Sequence, residues 1–187
     1  MDSVDLLERA GWYPGRQVDT SASVSSLLRE GYALHSTAIT VLAEFSGLII
    51  NGPEYFIEGR NGRLRRRRQL WVDGERAAMD SEDPGGCRDY SEAVGDTLVP
   101  VGGEGQMTVL VGEQGAIWGA FSGDYGFIAD SFISAVGKIL LWKAGDWRLD
   151  KRLPPGLTTE EVIRRSRLEG ETSRHRRRRR RSWKLAE

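Results

Sequence analysis

Residues 107–121 read MTVLVGEQGAIWGAF, two apolar runs on either side of the polar loop Gly112-Glu113-Gln114-Gly115. Two runs of strand length joined by a short, glycine-containing loop predict an antiparallel β-hairpin. Shortly afterwards, apolar side chains recur with helical spacing through Ser131–Trp142, and Ser131 is well placed to cap that helix. A hairpin followed by an amphipathic helix predicts a sheet with at least one helix packed on it.

Further strands are predicted upstream of this hairpin. Leu48-Ile49-Ile50 and Tyr55-Phe56-Ile57 flank Asn51-Gly52-Pro53, which predicts two short strands joined by a turn. The other predicted elements in this half are a strand at Gln69–Val72, a short helix at Asp89–Val94, a turn at Gly123–Gly126 and a strand at Phe127-Ile128.

Three helices are predicted ahead of the strands. Ser3–Ala10, with Ser3 as the expected N-cap, ends before Gly11, Asp19–Glu30 ends before Gly31, and Ser36–Phe45 ends before Gly47. Helices first, then strands, then a closing helix predict an α+β fold with N-terminal helices packed on a mostly antiparallel sheet.

The chain of 187 residues has the length of one ordinary domain with a tail. Pro154-Pro155-Gly156 marks the start of a different composition, so we predict a domain at 1–149 and a basic tail at 150–187. Thr158 and Glu161 have capping-box spacing, which predicts a short, marginal helix at the start of the tail. The arginine-rich remainder lacks core residues, and we expect it to be disordered.

The formal net charge of +0 conceals an uneven distribution. Residues 174–187 contain eight cations and one anion, which leaves 19 cations and 26 anions in residues 1–173. The predicted domain is therefore acidic, and an acidic body favours basic partners. A second basic cluster, Arg60, Arg63 and Arg65–Arg68, lies inside the domain. Because consecutive strand residues face opposite sides, this cluster predicts an exposed edge or a loop, serving either to prevent edge association or to bind a partner.

The tail offers an alternative function as a nucleic-acid-associated protein. Arginines attract phosphates and a tryptophan can stack on a base. The candidate residues are Arg174, Arg176, Arg177, Arg178, Arg179, Arg180, Arg181 and Trp183.

Catalytic and metal-binding patterns are absent from the sequence. His35 is expected to be a surface or helix-cap residue, His175 lies in the arginine tract, and Cys87 has no base nearby in sequence. Gly102-Gly103-Glu104-Gly105 lacks the ending of a phosphate-binding loop and predicts a flexible turn. We therefore expect no enzyme activity, metal or cofactor. Without a signal peptide or an apolar run long enough to span a membrane, we expect a cytoplasmic protein.

Three further stretches are informative through their order and spacing. They are Gly11-Trp12-Tyr13-Pro14-Gly15-Arg16, Leu42-Ala43-Glu44-Phe45-Ser46-Gly47-Leu48 and Leu98-Val99-Pro100-Val101-Gly102. Together, and with Ala129-Asp130-Ser131-Phe132 after the hairpin, they resemble the third subgroup of the SUKH immunity superfamily over roughly residues 4–145. This resemblance implies an α+β binding protein that neutralises a toxin, often a nuclease, delivered between bacteria.

Two groups of residues become candidates for sites. Trp12, Tyr13, Pro14, Gly15 and Arg16 form either a partner site or a structural turn, in which the aromatic rings pack the first helix onto the sheet and Arg16 bonds to a carboxylate or carbonyl. The candidate partner-binding residues near the hairpin are Glu104, Glu113, Trp118, Asp124 and Tyr125. Aromatic anchors among carboxylates suit a basic toxin, whereas Trp118 could equally face the core. We expect a monomer that binds one toxin molecule.

Overall fold

The computed structural model describes residues 1–59, 62–80, 84–121 and 124–141. The predicted domain boundary at 149, the helix after Thr158 and the arginine tract lie outside these residues. Within them the fold is α+β, as the sequence predicts, with six helices and six strands. The helices are α1 Ser3–Arg9, α2 Ser21–Glu30, α3 Ser36–Phe45, α4 Gly74–Asp80, α5 Pro84–Val94 and α6 Phe132–Leu140. The strands are β1 Ile49–Gly59, β2 Gly62–Val72, β3 Val99–Glu104, β4 Met107–Val111, β5 Ile117–Phe121 and β6 Asp124–Ala129.

The first three helices are confirmed, with two corrections at their N-termini. Asp2, rather than Ser3, caps α1, and it exchanges hydrogen bonds with Asp5 in a reciprocal capping box. Helix α2 begins at Ser21 rather than Asp19, because the Asp19 carboxylate accepts hydrogen bonds from Ser21 ahead of the first turn. Gly31 ends α2 with a φ of 91°, the left-handed conformation that glycine adopts most readily.

The middle of the chain contains more helix than expected. Helix α4 was not predicted; it begins after Asp73, whose carboxylate accepts a hydrogen bond from the backbone N–H of Arg76. Helix α5 was expected at Asp89–Val94 but begins at Pro84, and proline is favoured in a first helical turn. Helix α6 is confirmed with Ser131 as its N-cap, but it ends at Leu140 rather than at the expected Trp142.

All six strands form one antiparallel sheet in the order β1-β2-β3-β4-β5-β6. The hairpin read from residues 107–121 is confirmed as β4 and β5, paired from Thr108 with Ala120 to Val111 with Ile117. Two predictions for this half of the chain are wrong. Gly102 and Gly103 lie within β3 rather than in a turn, and the residues expected to turn at Gly123–Gly126 belong to β6 from Asp124 onward.

The predicted turn at Asn51-Gly52-Pro53 is also wrong. These residues lie inside one continuous strand β1, which contains a bulge between Asn51 and Glu54. Pro53 is tolerated because β1 is an edge strand of the sheet, with β2 as its one neighbour among the described strands. Gly52 is required by the close approach of α6, since a Cβ at this position would lie 2.9 Å from the carbonyl oxygen of Leu140.

One hydrophobic core joins the helices to the sheet. Helix α6 packs against α1, β1, β2 and β6, while α3 and α4 pack against β3. Leu7, Leu42, Val99, Ile117 and Ile139 are among the fully or almost fully buried side chains of this core. The strands β3, β4 and β5 are buried almost throughout, so within the sheet the exposed residues that the structure describes lie at its two ends and on the β1–β2 hairpin.

Candidate functional site

The Trp12–Arg16 stretch joins the first turn to the C-terminus of α3. Trp12 is buried, stacks on Phe45 with 6.2 Å between ring centroids, and donates a hydrogen bond from its indole nitrogen to Glu44. Arg16 donates to the carbonyl oxygens of Glu44 and Ser46 at 2.6 and 2.8 Å. These contacts correspond to the structural interpretation of the stretch, and Arg16 satisfies carbonyls that the end of a helix leaves without partners.

Pro14 and Gly15 form a tight turn within this stretch. Gly15 has a φ of 81°, and the backbone N–H of Arg16 donates to the carbonyl of Tyr13 at 3.1 Å across Pro14 and Gly15. Tyr13 itself is 59% exposed, so it does not pack the first helix onto the sheet as expected. Tyr13 is therefore the only side chain of this aromatic pair that a partner could reach.

The β4–β5 loop is held in place by its neighbours. The backbone N–H of Glu113 donates to Asp96 at 2.9 Å, and its carbonyl accepts from the hydroxyl of Thr37 at 2.6 Å. The carboxylate of Glu113 accepts from the hydroxyl of Thr97 at 2.7 Å. His35 adds a contact of 3.2 Å between its Nε2 and the carbonyl oxygen of Val111. A loop fixed by four such contacts presents its carboxylate with little entropy left to lose on binding.

Three acidic residues lie at this end of the sheet. Asp96 and Glu113 are in contact through the backbone bond above, and Asp130 follows Ala129, which pairs with Ile117 next to the same loop. We call Asp96, Glu113 and Asp130 the acidic pole. Glu113 and Asp130 are exposed and Asp96 is half-buried, so the group offers negative charge from a rigid support.

Glu104 and Asp124 lie at the opposite end of the sheet. Glu104 ends β3 and pairs with Leu70, and Asp124 begins β6 opposite Phe121. Burial raises the pKa of Glu104, while the nearby charge of Arg68 acts in the opposite direction. The structure therefore separates the three predicted carboxylates: Glu113 belongs to the acidic pole, whereas Glu104 is placed near an arginine.

The two predicted aromatic anchors are held by intramolecular contacts. Trp118 is only 8% exposed and meets Phe127 edge-on at 5.6 Å between ring centroids. Tyr125 is half-buried, with its ring 5.0 Å from that of Tyr90. The burial of Trp118 matches the alternative in which it faces the core. Its indole N–H has no acceptor among the described residues.

The β1–β2 hairpin presents a surface whose extent the sequence did not reveal. Strand β2 pairs with β3 only through Leu70–Val72, whereas its earlier residues pair with β1 alone. The paired segments 54–59 and 62–67 therefore continue beyond the sheet as a two-stranded ribbon. We call these segments, together with Arg68, the arginine ribbon. The sequence signal for this surface was the run of consecutive arginines Arg65–Arg68, whose side chains point to alternate faces of a strand. The exposure of most residues in this part of β2 supports the expected exposed edge.

The remaining reactive side chains have structural surroundings. His35 caps α3, as expected, because its Nδ1 accepts from the backbone N–H of Ala38. Cys87 is buried, with its sulfur 3.6 Å from the carbonyl oxygen of Leu98. In the part of the chain that the structure describes, His, Cys, Asp and Glu side chains form no group of three able to hold a metal ion. No helix among the described residues is both long and apolar enough to cross a membrane.

Comparison with known proteins adds one positive result. The family model described as SUKH-3 immunity protein matches residues 2–141, a span that includes every element described above. Neither a curated protein nor a solved structure matches the chain.

Proposed function

This chain belongs to the SUKH-3 immunity protein family, and from that premise we propose that it neutralises one cognate toxin by binding it one-to-one. Members of such a family act in immunity, and binding needs no catalytic group. The described surroundings of His35 and Cys87 agree with this proposal, because one is a helix cap and the other is buried in the core.

We infer that the acidic pole is the surface that meets the toxin. The observation that carries this inference is the fixed β4–β5 loop, in which Glu113 is bonded through its backbone N–H, its carbonyl and its carboxylate. Preorganised charge lowers the entropy that association costs. The excess of acidic residues in positions 1–173 supports a basic partner, since complementary potentials speed and orient encounter.

A basic toxin is often one that acts on a polyanion, and a nuclease is the class we propose. Carboxylates at the acidic pole would occupy the surface that the toxin uses for phosphates. Neutralisation would then follow from exclusion of the substrate rather than from chemical change of the toxin.

The test uses the full chain and a toxin domain chosen from the reading frames that neighbour its gene. We expect co-expression to restore growth, and the purified proteins to form a one-to-one complex whose association slows as salt increases. Glu113→Lys with Asp130→Lys should slow association strongly. Glu8→Lys with Glu30→Lys makes the same change in net charge at exposed positions on α1 and α2 and should have a smaller effect.

Two results would contradict this proposal. If the acidic-pole variant associated with the toxin at the wild-type rate, the toxin-binding surface would lie elsewhere on the molecule. Loss of protection in a variant that still binds the toxin with unchanged affinity would show that binding alone is not the mechanism.

A further inference from the structure

The arginine ribbon is a freestanding piece of antiparallel sheet. Its pairs run from Glu54 with Arg67 to Gly59 with Gly62, a length of roughly 17–20 Å at about 3.3 Å per residue. In the part of β2 that precedes Leu70, no described strand pairs with the side facing away from β1. No described strand pairs with the side of β1 that faces away from β2. Among the described residues the ribbon is therefore two strands wide. Arg63 to Arg66 are exposed on its two faces, whereas Arg68 is half-buried against α6.

Arginines occupy both faces of this ribbon. Directly paired residues share a face, so Arg63, Arg65 and Arg67 lie on the face of Phe56, while Arg66 and Arg68 lie on the face of Tyr55. Only part of this charge is neutralised. Glu54 forms ion pairs with Arg65 and Arg67, and Arg68 donates to the carbonyl oxygen of Ile139 at 2.9 Å. Arg63 and Arg66 have no ion pair with any described carboxylate.

Apolar side chains are exposed between these arginines. Phe56 is 51% exposed and Leu64 is 45% exposed, one on each face. The guanidinium carbon of Arg63 lies 4.3 Å from the centroid of the Phe56 ring, a cation–π contact that keeps the guanidinium over the ribbon. Charged side chains can protect a strand edge from association with other strands, but this protection does not require an excess of positive charge on both faces.

We propose that the arginine ribbon binds the phosphate backbone of duplex DNA by entering the major groove. That groove admits a two-stranded β-ribbon, and the phosphates that flank it would meet arginines from both faces. The guanidinium fork matches phosphate oxygens better than an ammonium group does. A flat protein partner would contact only one face of the ribbon, and the arginines on the other face would remain without a partner.

This binding goes beyond the proposed function and is independent of it. The ribbon extends from the Glu104 end of the sheet, and the acidic pole lies at the end that carries the β4–β5 loop. The two surfaces carry opposite charge and do not share a residue. A toxin at the acidic pole and DNA at the ribbon can therefore be bound or lost separately.

The experiment measures binding of the full chain to a short fluorescent DNA duplex of arbitrary sequence between about 50 and 200 mM salt. The ribbon variant is Arg63→Gln with Arg66→Gln, which removes the two unpaired arginines. The matched control is Arg29→Gln with Arg88→Gln, which removes the same charge from exposed positions on α2 and α5. Both variants retain the arginine tract, so its contribution is the same in each.

We expect the ribbon variant to reduce the slope of log affinity against log salt by about 2, because each phosphate contact contributes about 1. Affinity near 0.1 M salt should fall on the order of tenfold to a hundredfold, and the control should resemble the wild type. Arg63→Lys with Arg66→Lys should recover the slope, and unchanged circular dichroism should confirm that each variant is folded.

Three results would overturn the proposal. In the first, the wild type does not bind the duplex. In the second, the ribbon variant and the control lose equal affinity, which would show that binding depends on net charge and not on the position of the arginines. The ribbon variant could also keep its DNA affinity while losing affinity for polyglutamate, which would assign the ribbon to an acidic protein partner.

Discussion

The indole nitrogen of Trp12 lies 3.0 Å from a carboxylate oxygen of Glu44, a residue 32 positions later in the chain. Arg16 bonds to the carbonyl oxygen of the same Glu44. Two stretches that are separate in the sequence therefore form one structural unit, in which the first turn closes over the end of α3. The contacts within this unit give the tryptophan, the arginine and the glutamate structural roles at these positions.

Trp12→Phe should destabilise the fold while leaving the backbone unchanged. Phenylalanine keeps much of the contact with Phe45 but leaves the part-buried Glu44 without its donor, at a cost of about 1–3 kcal/mol. Urea unfolding measures this free energy. Tyr13→Phe is the matched control at the neighbouring, exposed ring and should change stability by less than about 0.5 kcal/mol. Equal losses in the two variants would contradict the structural role.

Local signals predicted the elements whose boundaries are set within a few residues. Gly31 stops α2 because glycine adopts positive φ there, Ser131 caps α6, and the loop at 112–115 joins β4 to β5. Each of these outcomes depends on the conformation of one or two residues. Sequence alone was therefore sufficient for these three boundaries, although it misplaced the starts of α2 and α5.

Other elements depend on contacts between distant residues. Gly52 and Pro53 suggest a turn locally, but α6 approaches Gly52 and the edge position tolerates Pro53, so β1 continues through both. Gly103 also indicates a turn, yet it lies in β3 because it pairs with Trp71 on one side and Thr108 on the other. Glycine is needed there because the ring of Trp71 occupies the space that a Cβ would take. Glu104 and Glu113 are separated because Glu104 pairs with Met107 at the start of β4, whereas Glu113 lies in the loop after the end of β4.

Trp118→Ala tests the two interpretations of this residue directly. A buried tryptophan in contact with Phe127 should cost about 3–5 kcal/mol of folding free energy when truncated. Trp118→Phe should cost much less, because it retains most of the packing and removes an N–H that has no described acceptor. Denaturant unfolding compares the two. Near-constant stability of Trp118→Ala with faster toxin release would instead identify an anchor.

Glu104→Gln should stabilise the protein near neutral pH. Burial raises the pKa of Glu104 above its ordinary value, so the folded state disfavours the charged form despite Arg68. The folded state then binds the proton more tightly than the unfolded state, and wild-type stability falls as pH rises through the pKa of the folded state. The advantage of glutamine should therefore shrink as pH falls through the ordinary glutamate range, about pH 4.

Urea unfolding at about pH 7 and about pH 4 measures this difference. Glu8→Gln, at an exposed position, serves as the control for removing one negative charge from the molecule. A glutamine variant that is less stable than the wild type near pH 7 would show that the attraction of Arg68 outweighs the cost of burial.

Gly112→Ala should loosen the acidic pole without unfolding the domain. A Cβ at Gly112 would collide with the carboxylate of Asp96. Asp96 must therefore move, and this breaks the hydrogen bond that its carboxylate accepts from the backbone N–H of Glu113. The contacts of Thr37 and Thr97 with Glu113 remain. We expect a loss of about 1 kcal/mol in stability, because one charge-assisted hydrogen bond is lost near the surface.

The specific readout is amide hydrogen exchange at Glu113, which should become faster while exchange in β4 and β5 stays slow. Gln114→Ala is the control, because Gln114 is exposed on the same loop and its side chain makes no bond to the acidic pole. If the fixed loop is what makes the acidic pole a binding surface, Gly112→Ala should also speed release of the toxin, since the loop must then be ordered on binding. Faster exchange with unchanged toxin release would separate the rigidity of the loop from recognition and would assign recognition to charge alone.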